Sequence, residues 1–153
     1  MQGYHGTHEV YAPIVNAQPP VPIYVGKAVP AGARKAGASS RGSELWKRLK
    51  EHADSIEAAD NLRLRDFACR HLVVVPVWIP LAERFLVEYY RPVWNVLVDG
   101  FGNHPPGKGR KDMRRPRWDI IHPGRAWAAS LTAAESEEDI LRQVRDFFRQ
   151  RAY

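Results

Sequence analysis

The sequence predicts an α+β fold, a small antiparallel sheet with helices packed on it. Three observations carry that prediction. The run Ile23-Tyr24-Val25-Gly26-Lys27-Ala28 takes β-branched and aromatic residues straight into a glycine, as a strand end does. Two segments, beginning at Ser43 and at Pro80, repeat apolar residues at the three-to-four-residue rhythm of helices. Between them Leu62 to Val75 alternates and then turns continuously apolar, like a strand entering a core. A length of 153 residues suits one domain with a modest core. The chain is read as a single unit, 1–153, with its core at about 9–98 and a basic extension at 99–153.

In chain order, Glu9 to Val15 is the first strand, ended by the proline-rich Gln18 to Pro22. The strand of Ile23 to Ala28 follows closely and is most simply its antiparallel neighbour. Residues 29–43 are rich in Gly, Ala and Ser and form a basic surface loop. A helix opens at Ser43, with Glu44 complementing the dipole and Leu45, Leu49 and Ile56 as its buried stripe. A second helix opens at Pro80 and stops before Pro92; Leu81, Phe85 and Tyr89, with Ala82 and Leu86, give it an apolar face. Trp94 to Val98 reads as extended, and the Gly- and Pro-rich 100–109 and the stretch Trp118 to Arg125 as irregular. The last helix runs from Ser136, capped with Asp139 three residues on; Ile140, Val144, Phe147 and Phe148 face inward.

The formal charge of +6 and pI near 9.7 favour a polyanionic partner. Cys69 stands alone, which excludes an internal disulfide and a multi-cysteine zinc site and suits a reducing, cytoplasmic compartment. The longest apolar run, Leu72 to Pro80, is far too short to span a membrane. No basic-then-apolar leader follows Met1. Walker-type glycine loops and serine-nucleophile elbows are lacking, and the histidines show no metal-ligand spacing.

Some residues could carry chemistry. Arg48 and His52 sit four apart, one turn above the other, and could offer a guanidinium for a phosphate beside an imidazole for a proton. The same spacing fits, and by itself favours, a solvated face on which Glu44 and Arg48 pair. Glu83 and Glu88 lie on opposite flanks of the second helix; a lone carboxylate suits Mg²⁺, and periodicity does not choose between them. Asn95 is either a turn former or a hydrogen-bonding group for a carboxylate or phosphate.

Together these stretches resemble the GIY-YIG nuclease family. Within it they resemble the type II restriction endonucleases that cut a GC-rich palindrome of the CCGCGG type. The likeness runs from about Tyr11 to Trp127. It is carried by Pro22-Ile23-Tyr24-Val25-Gly26-Lys27-Ala28-Val29-Pro30, by Glu44-Leu45 through Arg48 to Glu51-His52, and by Glu83 with Pro92-Val93-Trp94-Asn95. Val98-Asp99-Gly100-Phe101-Gly102-Asn103-His104, Trp118-Asp119 and His122-Pro123-Gly124-Arg125 complete it.

The resemblance implies a three-stranded antiparallel sheet flanked by helices, an irregular basic C-terminal extension, and metal-dependent hydrolysis of double-stranded DNA. It implies that Glu83 binds one Mg²⁺ or Mn²⁺ and that Arg48 neutralises the transition state. Tyr24 and His52 then position water or phosphate and move protons, while Asn95 braces the scissile region. Lys27, Arg34, Lys35, Lys108, Arg110, Lys111, Arg114, Arg115 and Arg117 would meet DNA, and palindrome recognition implies a homodimer. No membrane and no small-molecule cofactor beyond the metal are expected. The family's first motif, Gly-Ile-Tyr, has no full counterpart. Glu9-Val10-Tyr11 lacks the glycine, and Tyr4 to Ile14 resembles the insert that follows the motif. The motif is therefore expected before Met1 in a longer form, with Tyr11 as the fallback tyrosine and Tyr4 behind it. Two other functions fit the same residues: a repair or mobile-element nuclease, and a DNA-binding remnant without catalysis.

Overall fold

The computed structural model describes residues 9–15, 17–30, 43–107 and 112–151. The expectations for Tyr4, Arg34, Lys35, Lys108, Arg110 and Lys111 fall outside these residues. Among the described residues there are α-helices α1 (Ala12–Val15), α2 (Ser43–Ala58), α3 (Ile79–Tyr90), α4 (Val93–Val96), α5 (Arg117–Ile121), α6 (Ala126–Ala129) and α7 (Glu137–Arg149), and short 3-10 turns.

No β-strand occurs among the described residues, so the predicted three-stranded antiparallel sheet is not seen. Each expected strand has a local reason for its absence. Glu9–Tyr11 is a 3-10 turn running into α1, because Val10, Tyr11 and Ile14 share a helical face buried in the core. Ile23 to Val25 bends at Ile23, and its backbone is held by residues 94 and 95 rather than by a strand: the Trp94 N–H donates to the Ile23 carbonyl at 3.0 Å. In the third segment Leu64–Asp66 forms a 3-10 turn, and Leu72, Val73 and Val75 stay exposed.

The basic extension also proves to be core. Trp118 and Ile121 of α5 and Ile140, Val144 and Phe148 of α7 share one cluster with Val10, Tyr11, Ile56, Trp94, Val98 and Phe101. Trp118 to Ile121 is therefore helical, with only His122 to Arg125 left irregular, and Val93–Val96 is a helical turn rather than extended chain. At the head of α7 the Ser136 hydroxyl accepts the Asp139 N–H at 3.1 Å and donates to its carboxylate at 2.7 Å, which fixes the helix start. Two faces are turned otherwise than the periodicity suggested. In α2 only Ile56 is buried, with Leu45 and Leu49 more than a third exposed. In α3 Leu81, Phe85 and Tyr89 point outward, and Glu83 lies on the less exposed side with Leu86, Val87 and Tyr90.

Gly124 sets how α2 meets the following segments. A Cβ there would lie 1.8 Å from the Ala58 carbonyl oxygen, and its φ of +135° is open to glycine alone. The Pro123 carbonyl then accepts the Asp60 N–H at 2.8 Å, tying the end of α2 to the core.

Candidate active site

Tyr24 leaves the segment around Val25 edge-on to two rings, His52 of α2 at 5.2 Å and Phe101 at 5.0 Å between centroids. His52 and Phe101 stack on each other at 4.7 Å. One turn before His52, Arg48 aims into the same cleft. Its guanidinium donates to Glu51 at 2.9 Å and to the Gly102 carbonyl at 3.4 Å, and lies 3.3 Å from His104 Nε2. Gly102 closes the group. A Cβ on it would come within 2.7 Å of Arg48 Nη2 and 2.9 Å of the Tyr24 hydroxyl. The absent side chain is what lets the tyrosine and the arginine reach the same turn.

That turn is anchored from behind. Arg125 makes a bidentate pair with Asp119, both contacts at 2.6 Å, with both side chains nearly inaccessible. Its remaining donors meet the carbonyls of Gly100, Phe101 and Asn103 at 2.9 to 3.2 Å, and its guanidinium lies over the Trp118 ring. Burial raises the Asp119 carboxyl above its ordinary value, and Arg125 offsets part of that rise. Arg125, Gly102, Phe101 and His104 were given no roles from sequence. The glycine-rich turn 100–104 was the available signal, but which side chain holds it is a tertiary fact.

The electrostatics separate the two polar groups on α2. Arg48 is held above its ordinary pKa: burial disfavours its charge, but Glu51 and the Tyr24 hydroxyl outweigh burial. His52 is pushed down to about 4, first by burial and then by the neighbouring Arg48 and His104 charges, with Glu51 opposing. At neutral pH the imidazole is therefore unprotonated, with a ring nitrogen able to accept a hydrogen bond.

Asn95 grips the segment that carries Tyr24. Its amide oxygen accepts the Val25 N–H at 2.8 Å and its amide nitrogen donates to the Val25 carbonyl at 2.8 Å. Glu83 faces the same segment, its carboxylate 2.5 Å from the ammonium of Lys27, three residues beyond Tyr24. Glu88 is paired with Arg84 in the open. Tyr11 lies apart from the cleft: buried, its hydroxyl meets Trp94 Nε1 and His122 Nε2 at 2.9 Å each, and burial raises its pKa well above the usual value. Of the basic residues, Arg115 caps carbonyls at Ala128, Ala129 and Leu131, and Arg117 pairs bidentately with Glu135. Arg114 is exposed. No cluster of three His, Cys, Asp or Glu able to hold a metal exists among the described residues.

The family model of the Eco29kI GIY-YIG domain matches residues 2–148. The chain belongs to that family. No curated protein matches it. An Eco29kI-type GIY-YIG domain is a restriction-type nuclease domain, with DNA as its substrate. The Tyr24, Arg48 and His52 cluster thus sits in a chain of phosphodiester-cutting kind. None of the helices among the described residues is long and apolar enough to cross a membrane.

Proposed function

We propose that the protein is a type II, site-specific endonuclease that hydrolyses double-stranded DNA at a GC-rich palindrome, acting as a homodimer. The observation that supports this best is the meeting of Tyr24, Arg48 and His52 around Gly102 in a chain of this family. Arg48, fully charged, binds a phosphate oxygen and opposes the negative charge that grows as water attacks. His52, neutral, accepts a hydrogen bond from that water and so serves the proton transfer, and the Tyr24 hydroxyl orients water or phosphate by hydrogen bonding. Asn95 acts through Val25 by fixing where Tyr24 points. Lys27 and Arg114 meet the DNA backbone.

Glu83 is the metal ligand in this reading. A lone carboxylate fits Mg²⁺ or Mn²⁺, which keeps most of its waters, and the Lys27 ammonium beside Glu83 supports a place where positive charge is matched. When bound, one such ion per site polarises the phosphate and stabilises the leaving oxygen. Lys27, well exposed beside Glu83, would be left to meet a DNA phosphate if an ion took its place at the carboxylate.

The test is digestion of a plasmid rich in GC-only palindromes, first with Mg²⁺ and then with EDTA. Discrete fragments with Mg²⁺ and intact plasmid with EDTA are expected. Fragments in both conditions, or a continuous smear, contradict a metal-dependent, site-specific enzyme.

A further inference from the structure

Helix α3 contains no buried residue, although most of its side chains are apolar. Its outward face carries Leu81 at 54% exposure, Phe85 at 62% and Tyr89 at 70%, with Trp78 just before it at 57%. The Phe85 and Tyr89 rings stack on each other at 6.0 Å rather than on the body of the protein. The run leading into the helix adds Val73 and Val77, both more than 70% exposed. From Leu72 to Ala82 no residue is charged, in a chain where 26% are. Taking 150–250 Å² for each aromatic and somewhat less for each aliphatic side chain, scaled by these exposures, the open apolar surface is roughly 550–750 Å². That lies at or above the top of the ~300–600 Å² of the largest patch on a typical monomer. It approaches the ~800 Å² that each partner buries in a standard stable interface.

We propose that this face is where two copies of the chain pair, α3 against α3 in antiparallel fashion. The patch is complementary to itself. A two-fold axis through Phe85 sets Leu81 against the partner's Tyr89 and Phe85 against the partner's Phe85. Along one rim run Arg84 and Glu88, which pair with each other at 2.8 Å and are well exposed. The two-fold keeps this rim on one side. It brings Arg84 to within about 3 Å, along the helix axis, of the partner's Glu88, at 1.5 Å rise per residue. The ion pairs can then be exchanged across the interface. Two copies with charge +6 each repel elsewhere, and this uncharged face lets them approach. Glu83 lies on the other side of α3, so pairing leaves the cleft open to DNA. The inference deepens the homodimer reading above and rests on it for its purpose, though not for its geometry.

Sedimentation velocity on the full chain without DNA, over a dilution series, tests it. The wild type should be a dimer that dissociates on dilution. Phe85→Glu, at an exposed site that folding does not depend on, should weaken the dimer about tenfold or more with an unchanged far-ultraviolet circular dichroism spectrum. Arg84→Glu should weaken it, and adding Glu88→Arg should restore it. A wild-type monomer overturns the proposal, as does an open-ended series of larger species or a dimer indifferent to these changes. Capture of an added apolar peptide by a monomer overturns it too. Cleavage assayed in parallel separates the two claims. A monomer that cuts DNA through Glu83 sinks the interface alone, and a dimer that never cuts sinks the nuclease reading alone.

Discussion

The side-chain amide of Asn95 closes both backbone groups of Val25, each at 2.8 Å. One side chain thereby does for Tyr24's segment what a neighbouring strand would do. Asn95→Ala should remove both bonds and cost about 1–3 kcal/mol, read from the urea midpoint. Asn95→Asp puts an acceptor against the Val25 carbonyl and should lower both stability and cleavage further than Asn95→Ala does. Wild-type stability in Asn95→Ala would show that the clamp is dispensable.

Two glycines should behave differently. At Gly102 a methyl group meets the ends of flexible side chains, Arg48 Nη2 and the Tyr24 hydroxyl. Gly102→Ala should therefore fold normally and lose cleavage by about tenfold or more, because both groups must retreat from the cleft. At Gly124 the obstacle is the Ala58 backbone oxygen and the backbone is left-handed. Gly124→Ala should lower the melting temperature, at a cost of about 1–3 kcal/mol or more. Equal effects on stability at the two sites would contradict this division.

The buried pair behind the turn gives a third test. Arg125→Met leaves the Asp119 carboxylate buried without its partner, which should cost about 3–5 kcal/mol in a denaturation curve. Adding Asp119→Leu removes the stranded charge and should recover part of that loss. It should not recover cleavage, because the carbonyls of Gly100, Phe101 and Asn103 remain without their donor.

His52 fixes a pH window. Its folded pKa of about 4 lies below the ordinary 6.5, so between these values the unfolded chain takes up a proton that the folded one refuses. Its contribution to stability is complete above 6.5 and is lost as pH falls toward 4. Subtracting the pH–stability curve of His52→Asn from that of the wild type should leave a loss confined to that window. A flat difference would mean the imidazole is not desolvated. Cleavage should likewise persist through pH 6.5 on the acid side rather than fall there.

How much of this was legible in the chain depended on whether the signal was local. The last helix was legible because Ser136, Asp139, Ile140, Val144 and Phe148 state its start and its face within a few residues. Arg48 and His52 share a face because four residues make one turn, and Tyr24 precedes a glycine that bends the chain. The strands were misread because alternation in Leu62 to Val75 signals a strand only if a partner pairs with it, and none does among the described residues. The face of α3 was misread because periodicity finds an apolar stripe and not what covers it. Arg115 and Arg117 looked like free cations because their carbonyl and carboxylate partners lie 13 to 20 residues along the chain. The Arg125 anchor and the Asn95 clamp needed the packed chain to be seen.

The central claim is that Glu83 serves cleavage rather than holding Lys27 for structure. Its most direct test compares Glu83→Gln with the wild type, measuring duplex cleavage in Mg²⁺ and duplex affinity in EDTA on the same preparations. The account predicts cleavage reduced by a hundredfold or more, on the order of 3 kcal/mol of lost barrier lowering, with affinity within a few-fold of wild type. Undiminished cleavage by Glu83→Gln would contradict it.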